Sequence, residues 1–269
     1  MEARERSPAV AGRFYPDDAK ALSAAVRACL PADTAPEPAR ALVAPHAGYR
    51  YSGRVAGMAF ASAPIPKTVV VLGPNHTGLG SYRAVWSAGA WRLPGAAVPV
   101  ASDLAEELVR RARLVPDTDA HLMEHSLEVE LPFLRELQPE LRIVPVCLGP
   151  LDRRDCLELG VALSEVIRDF REPVLLVAST DMSHYISAER AAALDAMALE
   201  RVAALDAEGL YAVVRERGIS MCGVVPTTVA LAAARALGAE GAKVLAYENS
   251  SNVSGDHERV VGYAAARVA

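Results

Sequence analysis

Two histidines, an aspartate with a third histidine, and a cysteine carry the chemistry most visible in this chain. His46 stands inside Val43-Ala-Pro-His-Ala-Gly-Tyr-Arg-Tyr-Ser-Gly53, where the short apolar run Ala41-Leu42-Val43-Ala44 stops at a Pro/Gly turn. The pattern recurs. Val69-Val-Val-Leu-Gly-Pro-Asn-His76 ends on a histidine, and Val174-Leu-Leu-Val-Ala-Ser-Thr-Asp-Met-Ser-His184 ends on Asp181 and His184. Apolar runs that stop at Gly or Pro read as buried strands, and open α/β sheets bind ligands at the carboxyl ends of their strands. Three such ends point to one pocket.

Two imidazoles with one soft or anionic side chain make a three-ligand metal site with open positions, which distinguishes catalytic from closed structural metals. Cys222 is the expected third ligand beside His46 and His76. It lies between Met221 and Gly223, ahead of a helix expected to open at Pro226, and a helix N-terminus favours thiolate over thiol. Its other reading is a buried packing cysteine. A thiolate with two imidazoles suits zinc, copper or iron(II). Asp181 and His184, three residues apart, are expected to form a carboxylate-oriented imidazole that serves as general acid or base. Glu124, His125 and Glu128 form a further ionisable group, either holding a ligand imidazole from behind or lying on a solvated face. His121-Leu-Met-Glu-His125 also matches H-x-x-E-H, a zinc metallohydrolase pattern that requires a continuous helix through both histidines.

The elements that position these residues follow from periodicity. Helical spacing is read over Asp17–Leu30, Val55–Ser62, Ser102–Arg113, Asp152–Phe170, Ser187–Leu205, Ala207–Arg215 and Pro226–Leu237. Strands are read at the three motif runs, at Arg142–Leu148, and at Lys243–Tyr247 and Val260–Val268. Ala84–Trp86, Ala90–Leu93 and Ala97–Val100, separated by Gly and Pro, read as hairpin strands, with Pro99 arguing for an edge. Strands alternating with helices imply an α/β fold. The expectation is a three-layer α/β/α sandwich with a mostly parallel central sheet and a short antiparallel hairpin insertion, one domain over residues 1–269.

Composition sets the bounds. The 269 residues are 52% hydrophobic and 23% charged, with a net charge of -5, and no basic cluster suggests nucleic acid as a partner. The charged start Met1–Pro8 is followed by no apolar leader, and no run is long enough for a membrane span, so a cytoplasmic protein is expected. Cys29, Cys147 and Cys156 show no CxxC spacing, and Cys147 and Cys156 fall on core elements as packing residues.

Taken in order, Gly12-Arg-Phe-Tyr15, Ala44-Pro-His-Ala-Gly-Tyr49, Gly73-Pro-Asn-His76, Glu124-His-Ser-Leu-Glu128 with Leu131-Pro132, Ser179-Thr-Asp-Met-Ser-His184 and Cys222-Gly223 resemble the Memo family, whose bacterial and archaeal members are called AmmeMemoRadiSam system protein B. The family is itself similar to the catalytic subunit of class III extradiol dioxygenases, a three-layer α/β fold holding non-haem iron(II) on two histidines and a carboxylate. The resemblance implies metal positions at His46, His76 and Cys222, cysteine replacing the carboxylate, with Asp181 and His184 on the pocket wall. It implies a dioxygenase-like oxidoreductase acting on a small, aromatic substrate. The alternative it carries is a non-catalytic metal- or peptide-binding adaptor, since family members are described as binding phosphotyrosine peptides. The family's name adds a radical enzyme and a companion domain as partners. Where some relatives follow Cys-Gly with Arg-His, this chain has Val224-Val225.

Overall fold

The computed structural model describes residues 5–269; the first four residues of the charged start, on which part of the no-leader expectation falls, lie outside them. The strands in chain order are β1 (Glu5–Arg6), β2 (Ala41–Ala44), β3 (Thr68–Pro74), β4 (Arg83–Val85), β5 (Ala90–Leu93), β6 (Ala96–Pro99), β7 (Val115–Pro116), β8 (Arg142–Leu148), β9 (Val174–Ser179), β10 (His184–Ile186), β11 (Ala242–Asn249) and β12 (Val260–Val268). The main sheet runs β10-β12-β2-β9-β3-β8-β4-β7, with β11 also paired to β12. Its centre, β2-β9-β3-β8, is parallel throughout. Every residue of β2 and β3 is buried, as expected of strands covered on both faces. On the flanks β12 and β4 join antiparallel, so the parallel character belongs to the centre.

Helices α1 (Ala19–Cys29), α2 (Tyr49–Ala61), α3 (Ser102–Ala112), α4 (Asp119–Leu122), α5 (Leu131–Leu137), α6 (Arg153–Asp169), α7 (Ala188–Ala203), α8 (Ala207–Arg217), α9 (Val224–Ala236) and α10 (Ser251–Ser254) form the outer layers. α2 packs on β2, β11 and β12 with α1 and α5 beside it, while α9 packs on β2, β3 and β9 beneath α6 and α8. This is the α/β sandwich expected. The longer helices start at side-chain caps where the sequence offers them: Asp18, Asp152, Ser187 and Asp206 each accept from a backbone N–H in the first turn. Among the described residues, no helix is long and apolar enough to cross a membrane.

Three differences from the sequence reading have simple causes. Ala84–Trp86 does not belong to the hairpin, because β4 pairs antiparallel with β8 in the main sheet; only β5 and β6 form the hairpin, with β6 and its Pro99 at the edge. β1 and β10 are too short to show periodicity. The small-residue helix starts at Tyr49 rather than Val55, because Gly48 already caps it.

Small residues let α1 and α2 approach closely. A Cβ at Gly57 would run into the backbone carbonyl of Cys29, a group that has no rotamer by which to withdraw. Gly57→Ala is therefore expected to lower the unfolding free energy by about 1–3 kcal/mol, despite the better helix propensity of alanine. A lower urea midpoint with unchanged slope checks it; an unchanged midpoint contradicts the close approach.

Candidate metal centre

The neighbouring strands β2, β9 and β3 deliver their carboxyl ends side by side, with Ala44 paired to Ser179 across β2 and β9. His46, Asp181 and His76 each follow two residues after the last residue of their strand. All three stand at one edge of the sheet, where the strand-end pattern of the sequence puts them. A further histidine joins them from outside the strand ends. His125, from the turn between α4 and the one-turn 3-10 helix Glu128–Glu130, lies with His46 and His76 so that one donor atom of each falls within 4.8 Å of the others. Its ring stacks on His76 at 4.7 Å and meets His46 edge-on at 5.4 Å.

The ring nitrogens facing away from this centre have partners. Ser179 Oγ lies 2.7 Å from His46 Nδ1, and Ser179 is itself within 2.7 Å of the Ser126 carbonyl and 2.6 Å of Glu130 Oε1. Glu124 Oε1 lies 2.8 Å from His76 Nδ1 and 3.5 Å from His125 Nδ1, and Glu124 Oε2 accepts the His76 backbone N–H at 2.6 Å. Glu124 is fully buried. Burial opposes its charge, but the hydrogen bond and charge of His76, with backbone donors from Ser126 and His76, hold its carboxyl down at about 2. Burial likewise opposes protonation of His76, which Glu124 outweighs, so that its pKa is raised. Burial, reinforced by the other histidines, drives His46 well below the ordinary histidine range, and burial lowers His125. His46 and His125 thus favour the neutral form that binds a metal through the free nitrogen, while a cation at the centre would compete with the proton on His76 that Glu124 favours.

Cys222 stands beside this trio. Its sulfur is 3.4 Å from His46 Nε2 and accepts the Asp181 backbone N–H at 3.2 Å. Gly223 makes this seat: a Cβ there would strike the Ser179 carbonyl and Thr180, so the turn before α9 closes onto the end of β9 only with glycine. The expected thiolate is corrected by the surroundings. Burial, followed by the nearby Asp181, pushes the thiol up beyond anything the start of α9 offsets.

Asp181 and His184 are also differently partnered than expected. Asp181 Oδ1 accepts the His46 backbone N–H at 2.9 Å, so the carboxyl braces the His46 loop instead of orienting His184. Burial raises its pKa to about 7 against backbone donors from His46 and Ala47 and the charge of His76. His184 Nδ1 lies 2.9 Å from the Ser220 carbonyl, which orients the imidazole. The backbone through Met182 and Ser183, tied to Gly262, sends the two side chains to different partners, a separation that their spacing of three does not reveal. Tyr185, next in the chain, is held at φ 59, in the left-handed region.

The H-x-x-E-H pattern does not form a helical pair. α4 ends at Leu122, and His121 is fully buried with its Nδ1 2.9 Å from the Asp117 carbonyl, away from His125. The metallohydrolase reading loses the continuous helix that it requires.

The histidines open onto a cavity of about 520 Å³ lined by Arg13, Phe14, Ala47, Gly48, Tyr51, Asp181, His184, Tyr185, Val261 and Tyr263. Phe14 packs against His125 at 4.9 Å. Its segment is fastened by Glu128, which accepts from the backbone N–H groups of Ala9 and Val10 and from Tyr15 Oη, and pairs with Arg6. Sequence reasoning noted Glu128 but missed Arg6. A two-residue strand gives no local sign that an arginine will be buried.

The family described as Memo-like protein matches residues 6–267 of this chain. The chain is 42% identical to a MEMO1 family protein of Methanopyrus kandleri, over 97% of its own length and 98% of the relative's. It is 40% identical to a MEMO1 family protein of Aquifex aeolicus, over 97% of each. An uncharacterised protein of Escherichia coli K12 has a similar fold, with TM-score 0.55 and 13% identity over 84% of this chain and 99% of that one.

Proposed function

The chain belongs to the Memo family, and from that premise we propose that it is a metal-binding, dioxygenase-like oxidoreductase that uses iron(II). The observation that carries this reading is the convergence of His46, His76 and His125 at the floor of the cavity, with outer nitrogens anchored on Ser179 and Glu124. Cys222 lies outside that trio of mutually close donors and reaches His46 alone, from where its sulfur would serve as a fourth donor. Its 3.4 Å separation from His46 Nε2 is close to the roughly 3.6 Å between an imidazole nitrogen and a thiolate sulfur sharing one tetrahedral ion. A cation at this point would also stabilise the thiolate that burial opposes. Zinc and copper suit the same donors, and the resemblance to ring-cleaving dioxygenases favours iron(II).

Bound iron(II) supplies a redox-active Lewis acid at the cavity floor. The chain's own residues do the rest. Glu124 and Ser179 hold the imidazoles in their binding tautomers. Phe14, Tyr51, Tyr185 and Tyr263 form the walls against which an aromatic ring lies. His184, held by the Ser220 carbonyl, moves a proton to or from the substrate at its free Nε2.

Protein loaded with iron(II) without oxygen, mixed with a catechol and then exposed to air, tests this through oxygen uptake and the absorbance of a ring-cleaved product. His184→Ala is expected to lower the rate by about 10²–10⁴-fold with metal content unchanged. No oxygen uptake by loaded wild type would contradict the oxidative reading and favour the metal- or peptide-binding adaptor.

A further inference from the structure

The charge around the cavity says more about what enters it. The carboxylates near it are committed: Glu124, behind the floor, to His76, Asp181 to the backbone of the His46 loop, Glu130 to Ser179, Glu128 to Arg6 and Tyr15, and Asp195 to Ser183 and Tyr247. The lining side chain that keeps a full charge without a partner is Arg13, which among the described residues has no carboxylate within ion-pair distance and donates no side-chain hydrogen bond. Two more arginines lie near its tyrosines, Arg50 5.8 Å from the Tyr51 ring centre and Arg259 5.6 Å from that of Tyr185, also without carboxylate partners among the described residues. In a chain of net charge -5, an unpaired guanidinium in the cavity lining with two more near its tyrosines makes a local positive field, and clefts focus such fields on incoming anions.

The segment that carries Arg13 is built to hold it there. Gly12 turns at φ +77, the Arg13 and Phe14 N–H groups both bond the Val10 carbonyl, and the Phe14 carbonyl accepts from Tyr49 N–H at 2.8 Å. Glu128 fastens the residues on either side through Ala9, Val10 and Tyr15. Phe14 thereby faces His125 while the neighbouring Arg13 lines the same cavity.

We propose that the cavity takes a small aromatic carboxylate, its ring between Phe14 and the tyrosine walls and its carboxylate on the Arg13 guanidinium. The planar fork of arginine matches a carboxylate with two parallel N–H donors, which a neutral isostere cannot accept equally well. The cavity volume lies within the range of small-molecule sites, so a ring with one such substituent fits. The inference rests on the metal reading only for the far side of the ring, where two ring oxygens would meet the ion; the charge preference belongs to Arg13 alone.

The test is calorimetric titration of metal-free and zinc-loaded protein with 3,4-dihydroxybenzoate, its neutral amide 3,4-dihydroxybenzamide, and catechol. Wild type is expected to bind the acid about tenfold or more tighter than the amide, in both forms of the protein, with the preference shrinking as salt rises. Arg13→Met is expected to abolish that preference while leaving catechol binding unchanged, and Arg13→Lys to restore part of it. Zinc is expected to tighten all three ligands, and failure of that arm alone would count against the metal reading and not against Arg13. Equal binding of acid and amide by wild type, a preference that survives Arg13→Met, or no binding of the acid at millimolar concentration would each overturn the proposal.

Discussion

Glu128→Ala is expected to destabilise the protein by about 3–5 kcal/mol, the cost of leaving a buried charge without its partner. Arg6 and Glu128 are both fully buried and pair at 2.7 Å. Arg6 also donates to the carbonyls of His121 and Glu124, and lies 4.1 Å from the centre of the Trp91 ring. Removing the carboxylate strands the guanidinium in the interior, and it also takes the acceptor from Ala9, Val10 and Tyr15. Arg6→Met is expected to cost less, because Glu128 would retain those three donors. The exposed pair Arg154–Glu158 provides the contrast, since breaking it is expected to change stability by less than about 1 kcal/mol. Urea unfolding of the three variants checks the order. A Glu128→Ala loss no greater than that of the surface pair would show that Glu128 is not the anchor of the segment carrying Arg13 and Phe14.

Glu124→Gln is expected to weaken metal binding by about 10–100-fold, or about 1.4–2.7 kcal/mol, with the fold intact. Glu124 reaches both His76 and His125 from behind the cluster, and its charge increases the donor strength of the imidazoles it touches. Glutamine preserves the shape but offers a single neutral carbonyl, so one of the contacts to the His76 ring and backbone is lost or turned repulsive. Competition with a chromophoric chelator measures the affinity. An unchanged affinity would mean that Glu124 serves the loop's folding and not the ligands.

Much of this arrangement is legible in the sequence because it is local. An apolar run ended by Pro or Gly marks a strand end, and that pattern alone is enough to bring His46, His76 and Asp181 to one edge of the sheet. The parallel centre follows from the continuous apolar character of β2, β3, β8 and β9. What the sequence hides is non-local. The motif Glu124-His-Ser-Leu-Glu128 marks His125 as a candidate site residue, but its place beside His46 arises only because the chain from α4 to α5 brings it to the ends of β2 and β3. Asp181 and His184 look like a pair because they are close in sequence, yet their side chains meet His46 and Ser220 instead. The force opposing a Cys222 thiolate is hidden for a related reason: the start of α9 is visible in sequence, whereas burial beside Asp181 is a property of the packed fold.

The most direct test of the account is elemental analysis of protein purified without oxygen and loaded with iron(II), on wild type beside His46→Ala, His76→Ala, His125→Ala and Cys222→Ser. One metal ion per chain is expected in wild type, none retained after desalting in His46→Ala or His76→Ala, and weakened retention in His125→Ala and Cys222→Ser. A wild type that retained no iron(II), zinc or copper, or one whose metal survived His46→Ala and His76→Ala, would contradict it.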